Sequence, residues 1–248
     1  MSKKLLLLFS FVFLGFTSQS QVLISIILGD KLNSPDLEFG VDGGLSLTSI
    51  TGLESHSMAP SLHLGFYFDF RIKNQWWLNT GVLVKSSQGA NKLSENDVAN
   101  LYPEFTQYVD SGKFSQSFGY FNVPIMVKYR LKNQIYFEGG VQASLMTKAI
   151  LHYEHNFDER DLTSSWENTP EFNRIDFGFV VGGGYKLLDG EGMNIGVKYY
   201  LGVVDITKTN QDNNYNSAIY VKVDIPIGKK KAEAARAEQE KASKSQNP

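Results

Sequence analysis

Residues 120–131, which read YFNVPIMVKYRL, decide the fold. Every second residue from Phe121 to Leu131 is apolar or aromatic, whereas Lys128 and Arg130 lie among the residues between them. Successive side chains of a β-strand point to opposite faces, so the stretch predicts a strand with one apolar face and one polar face.

The same period of two recurs along nearly the whole chain and predicts eight strands. The predicted strands cover residues 37–49, 59–72, 76–89, 114–131, 134–153, 172–188, 192–206 and 215–228. Short turns at residues 73–75, 132–134 and 189–191 alternate with longer links at residues 50–58, 90–113, 154–171 and 207–214. This arrangement favours an all-β fold, an eight-stranded antiparallel up-and-down transmembrane β-barrel like those of bacterial outer membranes.

The positions of the glycines predict which barrel face is outside. Eleven lie on the polar face: Gly40, Gly44, Gly65, Gly81, Gly140, Gly178, Gly182, Gly184, Gly196, Gly202 and Gly228. Four lie on the apolar face: Gly43, Gly119, Gly139 and Gly183. An eight-stranded barrel is barely wide enough inside for side chains, so the glycine-rich polar face should line the lumen. A soluble lipocalin-like barrel would have the opposite orientation. Trp76, Tyr129 and Tyr185 are expected to form an aromatic girdle at the short turns.

This orientation places charged residues of both signs in the lumen. The acidic members are Glu38, Asp42, Asp69, Glu138, Asp176 and Asp224. The basic members are Arg71, Lys85, Lys128, Arg130, Lys186, Lys198 and Lys222. Because six acids nearly balance seven bases, we expect a network of paired charges that closes the lumen; a small selective pore is the alternative.

The ends of the chain differ from its middle. Residues 1–20 read as a signal peptide, with a basic start, an apolar run and a small-residue cleavage site, which leaves residues 21–228 as the barrel domain. Residues 229–248 hold six basic and three acidic residues and predict a periplasmic tail, either a frayed helix or disordered. This tail is a candidate for contact with the cell wall or with other periplasmic components.

Composition excludes several classes of function. The chain of 248 residues has no cysteine, which excludes disulfides, thiolate metal sites and a cysteine nucleophile. Residues 21–228 hold 16 basic and 23 acidic residues, so no nucleic-acid partner is expected. The expected partners are outer-membrane lipids and, during insertion, the barrel assembly machinery.

Two clusters contain residue types that are used in catalysis or metal binding. Ser61 and His63 share the inward face and, with an inward acid, could serve a lipid-modifying outer-membrane enzyme. His152, Glu154 and His155 are followed by several acidic residues in the link 154–171, which we interpret as a solvated loop. Neither cluster has a supporting motif, so we expect no catalytic, cofactor or metal site and no enzymatic activity.

Three segments resemble the PorT-like outer-membrane β-barrel family of Gram-negative bacteria. They are FGVDGGLS at residues 39–46, YFNVPIMVKY at residues 120–129 and FGFVVGGG at residues 177–184. The resemblance implies a small barrel with a structural or binding role, and an accessory part in protein secretion as a further alternative. The chain departs from the usual barrel ending, since a charged tail follows the last strand.

Overall fold

The computed structural model describes residues 33–228, apart from residue 56, residues 158–159 and residues 209–212. The predicted signal peptide at residues 1–20 and tail at residues 229–248 lie outside the described residues. No helix within the described part of the chain has the length and hydropathy needed to cross a membrane.

The described residues form nine strands and one α-helix. The strands are β1 (Leu37–Thr51), β2 (Ala59–Lys73), β3 (Trp76–Ala90), β4 (Lys113–Arg130), β5 (Ile135–Phe157), β6 (Arg160–Glu167), β7 (Ile175–Lys186), β8 (Asn194–Gly202) and β9 (Tyr215–Pro226). The helix α1 spans Glu95–Leu101, and short 3₁₀ helices lie at Pro103–Ser111, Thr169–Glu171 and Leu188–Gly190.

Eight of these strands close into an antiparallel ring. Around the ring the order is β1, β2, β3, β4, β5, β7, β8 and β9, and β9 pairs with β1 from Gly40–Pro226 to Thr51–Tyr215. The predicted eight-stranded antiparallel barrel is therefore confirmed. Its strands agree with those predicted to within a few residues at most ends.

Strand β6 does not belong to the ring, and here the sequence interpretation was wrong. The link 154–171 was expected to be a solvated loop, but β5 continues to Phe157 and pairs with β6 from Ile150–Glu167 to Phe157–Arg160. The hairpin escaped notice because β6 has only Leu162 and Trp166 as large apolar residues on its alternating face. One face of this hairpin packs against other loop segments and not against lipid or the lumen. The hairpin therefore needs neither the apolar face of a lipid-facing strand nor the small residues that face a lumen.

The apolar face is outside and the polar face is inside, as predicted. Ile125 and Val181 are more than half exposed, whereas Asp69 and Asp224 are fully buried. The inward glycines make room for inward tyrosines, because a Cβ atom at Gly196 would collide with the hydroxyl oxygen of Tyr136. At the short-turn end the exposed ring of Trp76 lies 4.7 Å from that of Tyr129.

Candidate functional site

The lumen contains a chain of ion pairs that alternates in sign. The ammonium of Lys128 lies 2.8 Å from Asp69 and 3.6 Å from Glu138. The ammonium of Lys222 lies 3.0 Å from Glu138 and 3.0 Å from Asp224. These five side chains are buried, and they come from β2, β4, β5 and β9, so the chain of charges crosses the interior of the barrel.

Two further lysines bind carboxylates of β1. Lys198 lies 3.2 Å from Asp42, and Lys186 donates a hydrogen bond of 2.5 Å to Glu38. The hydroxyl of Tyr67 also donates to Glu38, at 3.0 Å. A buried ion in a medium of low polarity is tolerated when an opposite charge and hydrogen bonds compensate it, and these carboxylates have both kinds of partner.

A tryptophan between two guanidinium groups lies at the short-turn end of the lumen. The Trp77 side chain is buried, and the guanidinium carbons of Arg71 and Arg130 each lie 4.7 Å from its ring centroid. Arg130 also lies 3.6 Å from Asp69, which joins this group to the chain of ion pairs. Cation–π contacts strengthen when they are shielded from water.

Three of the thirteen predicted lumen charges differ from expectation. Lys85 faces outward, because β3 has a bulge between Leu83 and Ser86 that adds a residue and reverses the alternation. Arg71 is 44% exposed at the rim, where it lies 3.9 Å from Asp36. Asp176 is buried without a basic partner among the described residues, and it instead accepts a hydrogen bond from Asn216 at 2.9 Å.

An apolar core fills the barrel at the long-loop end. Inward side chains of β4 and β5 meet residues from α1 and from the segments that precede β7 and β9. The buried members are Ile50, Ala90, Leu93, Val98, Tyr102, Phe114, Phe118, Tyr120, Met146, Ala149, Leu151, Tyr153, Phe172 and Ile206. We call α1 together with the 3₁₀ helix Pro103–Ser111 the cap, because it contributes to this core from above the strands.

Buried polar contacts hold the cap to the barrel. The Tyr102 hydroxyl donates a 2.6 Å hydrogen bond to Gln116 of β4, and Asn168 donates 3.0 Å and 3.1 Å bonds to Tyr102 and Gln116. Burial raises the pKa of Tyr102, so the hydroxyl remains a donor at physiological pH. The three side chains connect the cap, the barrel wall and the end of β6.

Asp97 joins the cap to the link between β1 and β2. Its carboxylate accepts hydrogen bonds from the backbone N–H groups of Glu54, Ser55 and Ser94, at 2.8, 2.9 and 3.0 Å. Ser94 completes a capping box at the start of α1, because its hydroxyl accepts from the Asp97 N–H. The spacing of Ser94 and Asp97 was a readable signal for this helix that the sequence interpretation did not use.

The structure does not assemble Ser61 and His63 as a catalytic pair. The Ser61 hydroxyl donates to the carbonyl oxygen of Ser87 at 3.0 Å and lies 2.6 Å from the hydroxyl of Ser46. His63 is buried, and its Nε2 atom lies 3.3 Å from Asp42. The histidine therefore belongs with the lumen charges, and the serine with contacts between neighbouring strands.

His152 connects three strands. Its Nε2 atom lies 3.0 Å from the hydroxyl of Ser117 on β4, and its Nδ1 atom lies 2.9 Å from that of Ser165 on β6. Within the part of the chain that the structure describes, no group of three histidine or acidic residues is arranged to hold a metal ion. Both ring nitrogens of His152 thus have partners within the protein.

An aromatic pocket opens between the cap and the β5–β6 hairpin. Its cavity has a volume of about 260 Å³ and is lined by Phe105, Tyr108, Phe114, Tyr153, Ser164 and Trp166. The rings form a continuous series in which each ring lies beside the next. The centroid separations are 5.0 Å between Trp166 and Phe105, 6.0 Å between Phe105 and Phe114, 4.7 Å between Phe114 and Tyr153, and 6.5 Å between Tyr153 and Tyr108. Phe114 is buried at the base, whereas Tyr108 and Trp166 are more than one third exposed.

The segments that enclose the aromatic pocket are acidic. Residues 91–112 and 154–171 together hold ten acidic residues and two basic ones. Partial burial raises the pKa of Glu171, and the neighbouring Glu104 carboxylate raises it further. Glu104 directly precedes the pocket residue Phe105, so negative charge lies beside the rings. The sequence interpretation recognised the acidic segment but could not place it beside a pocket, because the rings come from three separate parts of the chain.

One protein family and several solved structures are similar to this chain. A family model for the outer membrane protein beta-barrel domain matches residues 19–208. The fold is similar to that of Ail, the attachment invasion locus protein of Yersinia pestis, at 8% identity over 77% of this chain and 99% of that one, with a TM-score of 0.43. It is also similar to Neisserial surface protein A at 12% identity over 75% and 96%, with a TM-score of 0.40. OprG of Pseudomonas aeruginosa gives 11% identity over 77% and 93%, with a TM-score of 0.37. No curated protein sequence matches the chain.

Proposed function

The chain belongs to the outer membrane protein beta-barrel domain family and resides in the cell outer membrane, and on that premise we propose that it is a non-enzymatic surface binding protein built on a sealed barrel. The aromatic pocket at the long-loop end is its binding site. The observation that carries the proposal is this pocket, which lies above a lumen filled by ion pairs and an apolar core.

The filled lumen argues against a pore. An ion crossing the barrel would have to displace the apolar core beneath the cap and then separate buried pairs such as Lys128 with Asp69. Breaking one buried pair by removing a partner costs about 3–5 kcal/mol in proteins. We therefore expect purified protein in planar bilayers to give no stable conductance steps, and regular steps would support the small pore instead.

The long loops are expected to face the cell exterior. In an even-stranded barrel both chain termini lie at the short-turn side, which is periplasmic in outer-membrane barrels. The aromatic pocket would then be open to the medium around the cell. A surface-binding role needs this orientation, since a periplasmic pocket would meet a different set of ligands.

The ligand that fits this pocket best is a small organic cation. The face of an aromatic ring attracts a cation, and a cavity of about 260 Å³ lined by five rings offers several such faces. The acidic segments around the pocket add a negative electrostatic potential, which also favours a cation. This potential acts within about 10 Å at 0.1 M salt. A trimethylammonium group combines the positive charge with an apolar surface that these walls can cover.

Choline and its neutral analogue 3,3-dimethylbutanol, which has carbon in place of the nitrogen, provide the test. Binding can be followed by Trp166 fluorescence in detergent-purified full-length protein. Cation–π contributions of about 0.5–2 kcal/mol predict that choline binds more tightly by about tenfold. Equal affinity for the two compounds, or no binding of either, would contradict the proposed ligand class.

Variants locate the binding in the aromatic pocket. Trp166→Leu should abolish most of the preference for choline, and Trp166→Phe, which keeps a ring, should retain part of it; calorimetry serves where the fluorophore is lost. Trp76→Phe on the outer girdle is the matched control and should bind like the parent protein. A loss of equal size in the control would place the binding elsewhere.

Membership of the narrower PorT-like group is a separate proposal. It is supported by the segment 120–129, which lies within β4, and it implies an accessory part in protein secretion. Deletion of the gene should then reduce the amount of secreted protein. Normal secretion in the deletion strain would remove this alternative.

A further inference from the structure

Two β-bulges turn lysines from the lumen face to the lipid face of the barrel. In β3, Leu83 and Ser86 both face inward, and the intervening bulge leaves Lys85 exposed. In β5, Met146 and Ala149 both face inward, and the bulge between them leaves Lys148 exposed. Bulges commonly redirect a side chain in this way.

Both lysines lie where the apolar outer band ends at the long-loop side. Lys85 is paired with Leu64, which is 44% exposed, and the neighbouring outward residue on β4 is Phe121. Beyond this level the outward positions of β3 and β4 are small or polar, as at Ser87 and Gly119. This is the level of lipid headgroups, because an outward apolar band of about 25 Å spans the hydrocarbon.

The two lysines can reach a common ligand. Lys148 pairs with Gly119 on β4, and Lys85 lies beside Phe121 on the other side of the same strand. Strands are spaced by about 4.8 Å and residues rise by about 3.3 Å, which places the two Cα atoms about 12 Å apart. A lysine side chain extends about 6 Å at bond lengths of about 1.5 Å, so both ammonium groups can meet above Gly119.

The ammonium groups of Lys85 and Lys148 stand apart from the ion pairs of the described residues. Within the described residues, no carboxylate lies at ion-pair distance from Lys85 or Lys148. This distinguishes them from the lumen lysines such as Lys128, which have one or two carboxylate partners. Gly119 has no side chain, and the Thr147 hydroxyl and the stem of Lys148 lie beside it, 2.8 Å and 3.4 Å from where a Cβ atom would be.

We propose that Lys85 and Lys148 form a binding site for the phosphate group of an anionic lipid in the leaflet at the long-loop end, which is the outer leaflet. A phosphate bound above Gly119 accepts hydrogen bonds from both ammonium groups while its acyl chains lie along Phe121 and the apolar band. The site is independent of the aromatic pocket, and it rests on residence in the outer membrane with the long loops facing outward.

Native mass spectrometry of the purified barrel tests the site. The probes are monophosphorylated lipid A, the same lipid after removal of its phosphate, and inorganic phosphate. At about 1 kcal/mol for each basic residue near a membrane surface, Lys85→Gln with Lys148→Gln should weaken binding of the phosphorylated lipid by about 30-fold. The dephosphorylated lipid should bind parent and variant alike, and binding of inorganic phosphate in place of the lipid would identify a site for the free anion and overturn the lipid assignment.

Two matched variants complete the test. Lys73→Gln with Lys132→Gln removes exposed lysines at the short-turn end and should leave binding unchanged. Lys85→Arg with Lys148→Arg keeps both charges and should retain binding to within about threefold. Each variant must show the heat-dependent gel mobility of the folded barrel. Equal binding by parent and Gln variant, or equal loss in the Lys73 and Lys132 control, would refute the proposal.

Discussion

Replacing Lys222 tests whether the lumen is sealed. The Lys222 ammonium lies 3.0 Å from both Glu138 and Asp224, and all three side chains are almost completely buried. In Lys222→Met, Glu138 keeps the more distant Lys128, at 3.6 Å, and Asp224 keeps an amide hydrogen bond of 3.3 Å from Asn194. Removing one partner of a buried ion pair costs about 3–5 kcal/mol, and we expect a loss of unfolding free energy in that range.

The double variant Lys222→Met/Asp224→Asn separates the charge effect from the packing effect. It removes one charge of each sign, so Glu138 remains with Lys128 and the orphaned carboxylate of Asp224 is gone. We expect it to recover about half of the stability lost in the single variant, since the desolvation of an unpaired charge is the larger part of the cost.

Equilibrium urea unfolding in lipid vesicles, followed by the gel mobility of unheated samples, measures both effects. Lys132→Met at an exposed turn position serves as the control and should change stability by less than about 0.5 kcal/mol. If Lys222→Met costs less than about 1 kcal/mol, water must hydrate Glu138 and Asp224 in the lumen. The lumen would then be open to water and not sealed.

Three further predictions concern the parts outside the barrel wall. Asp97→Ala leaves three backbone N–H groups without their acceptor and should loosen the cap by about 2–4 kcal/mol, measured as faster hydrogen exchange in α1 while the barrel strands stay protected. Uniform protection across α1 would contradict this role. Deleting residues 158–168 should leave the ring folded, because β6 pairs with β5 and lies outside the ring. The deletion should abolish choline binding, because Trp166 and Ser164 line the pocket; failure to fold would show that β6 is needed for assembly. Protease added to intact cells should spare the tail at residues 229–248, and cleavage there would invert the orientation of the barrel.

The sequence predicted the ring well because lipid and lumen impose opposite demands on alternating residues. The period of two in residues 120–131 and the glycines on the polar face were sufficient to place the strands and the outer face. Bulges were not predictable by this reasoning, since one added residue changes the face of a side chain without changing composition. Lys85 was assigned to the wrong face for that reason.

The loop region was less predictable because its parts are short. Helix α1 has seven residues, and β6 has eight, so neither carries a long periodic signal. The aromatic pocket joins Phe105, Phe114 and Trp166, whose proximity depends on the pairing of β4, β5 and β6. The sequence predicted that opposite charges lie in the lumen. It could not predict the partner of each lysine, because the pairs depend on the register between strands that are distant in the chain.

Pairing between the first and last strands has a consequence for biogenesis. β1 and β9 share twelve residue pairs, although Gly40 and Pro226 stand at opposite ends of the described chain. Until β9 has been synthesised and exported, β1 has an unpaired edge on one side, and Glu138 of β5 lacks its partner Lys222. A chain that stops before β9 therefore exposes unsatisfied backbone groups that hydrocarbon does not tolerate. We expect insertion into the membrane to wait for the final strand, which closes the open seam of β1.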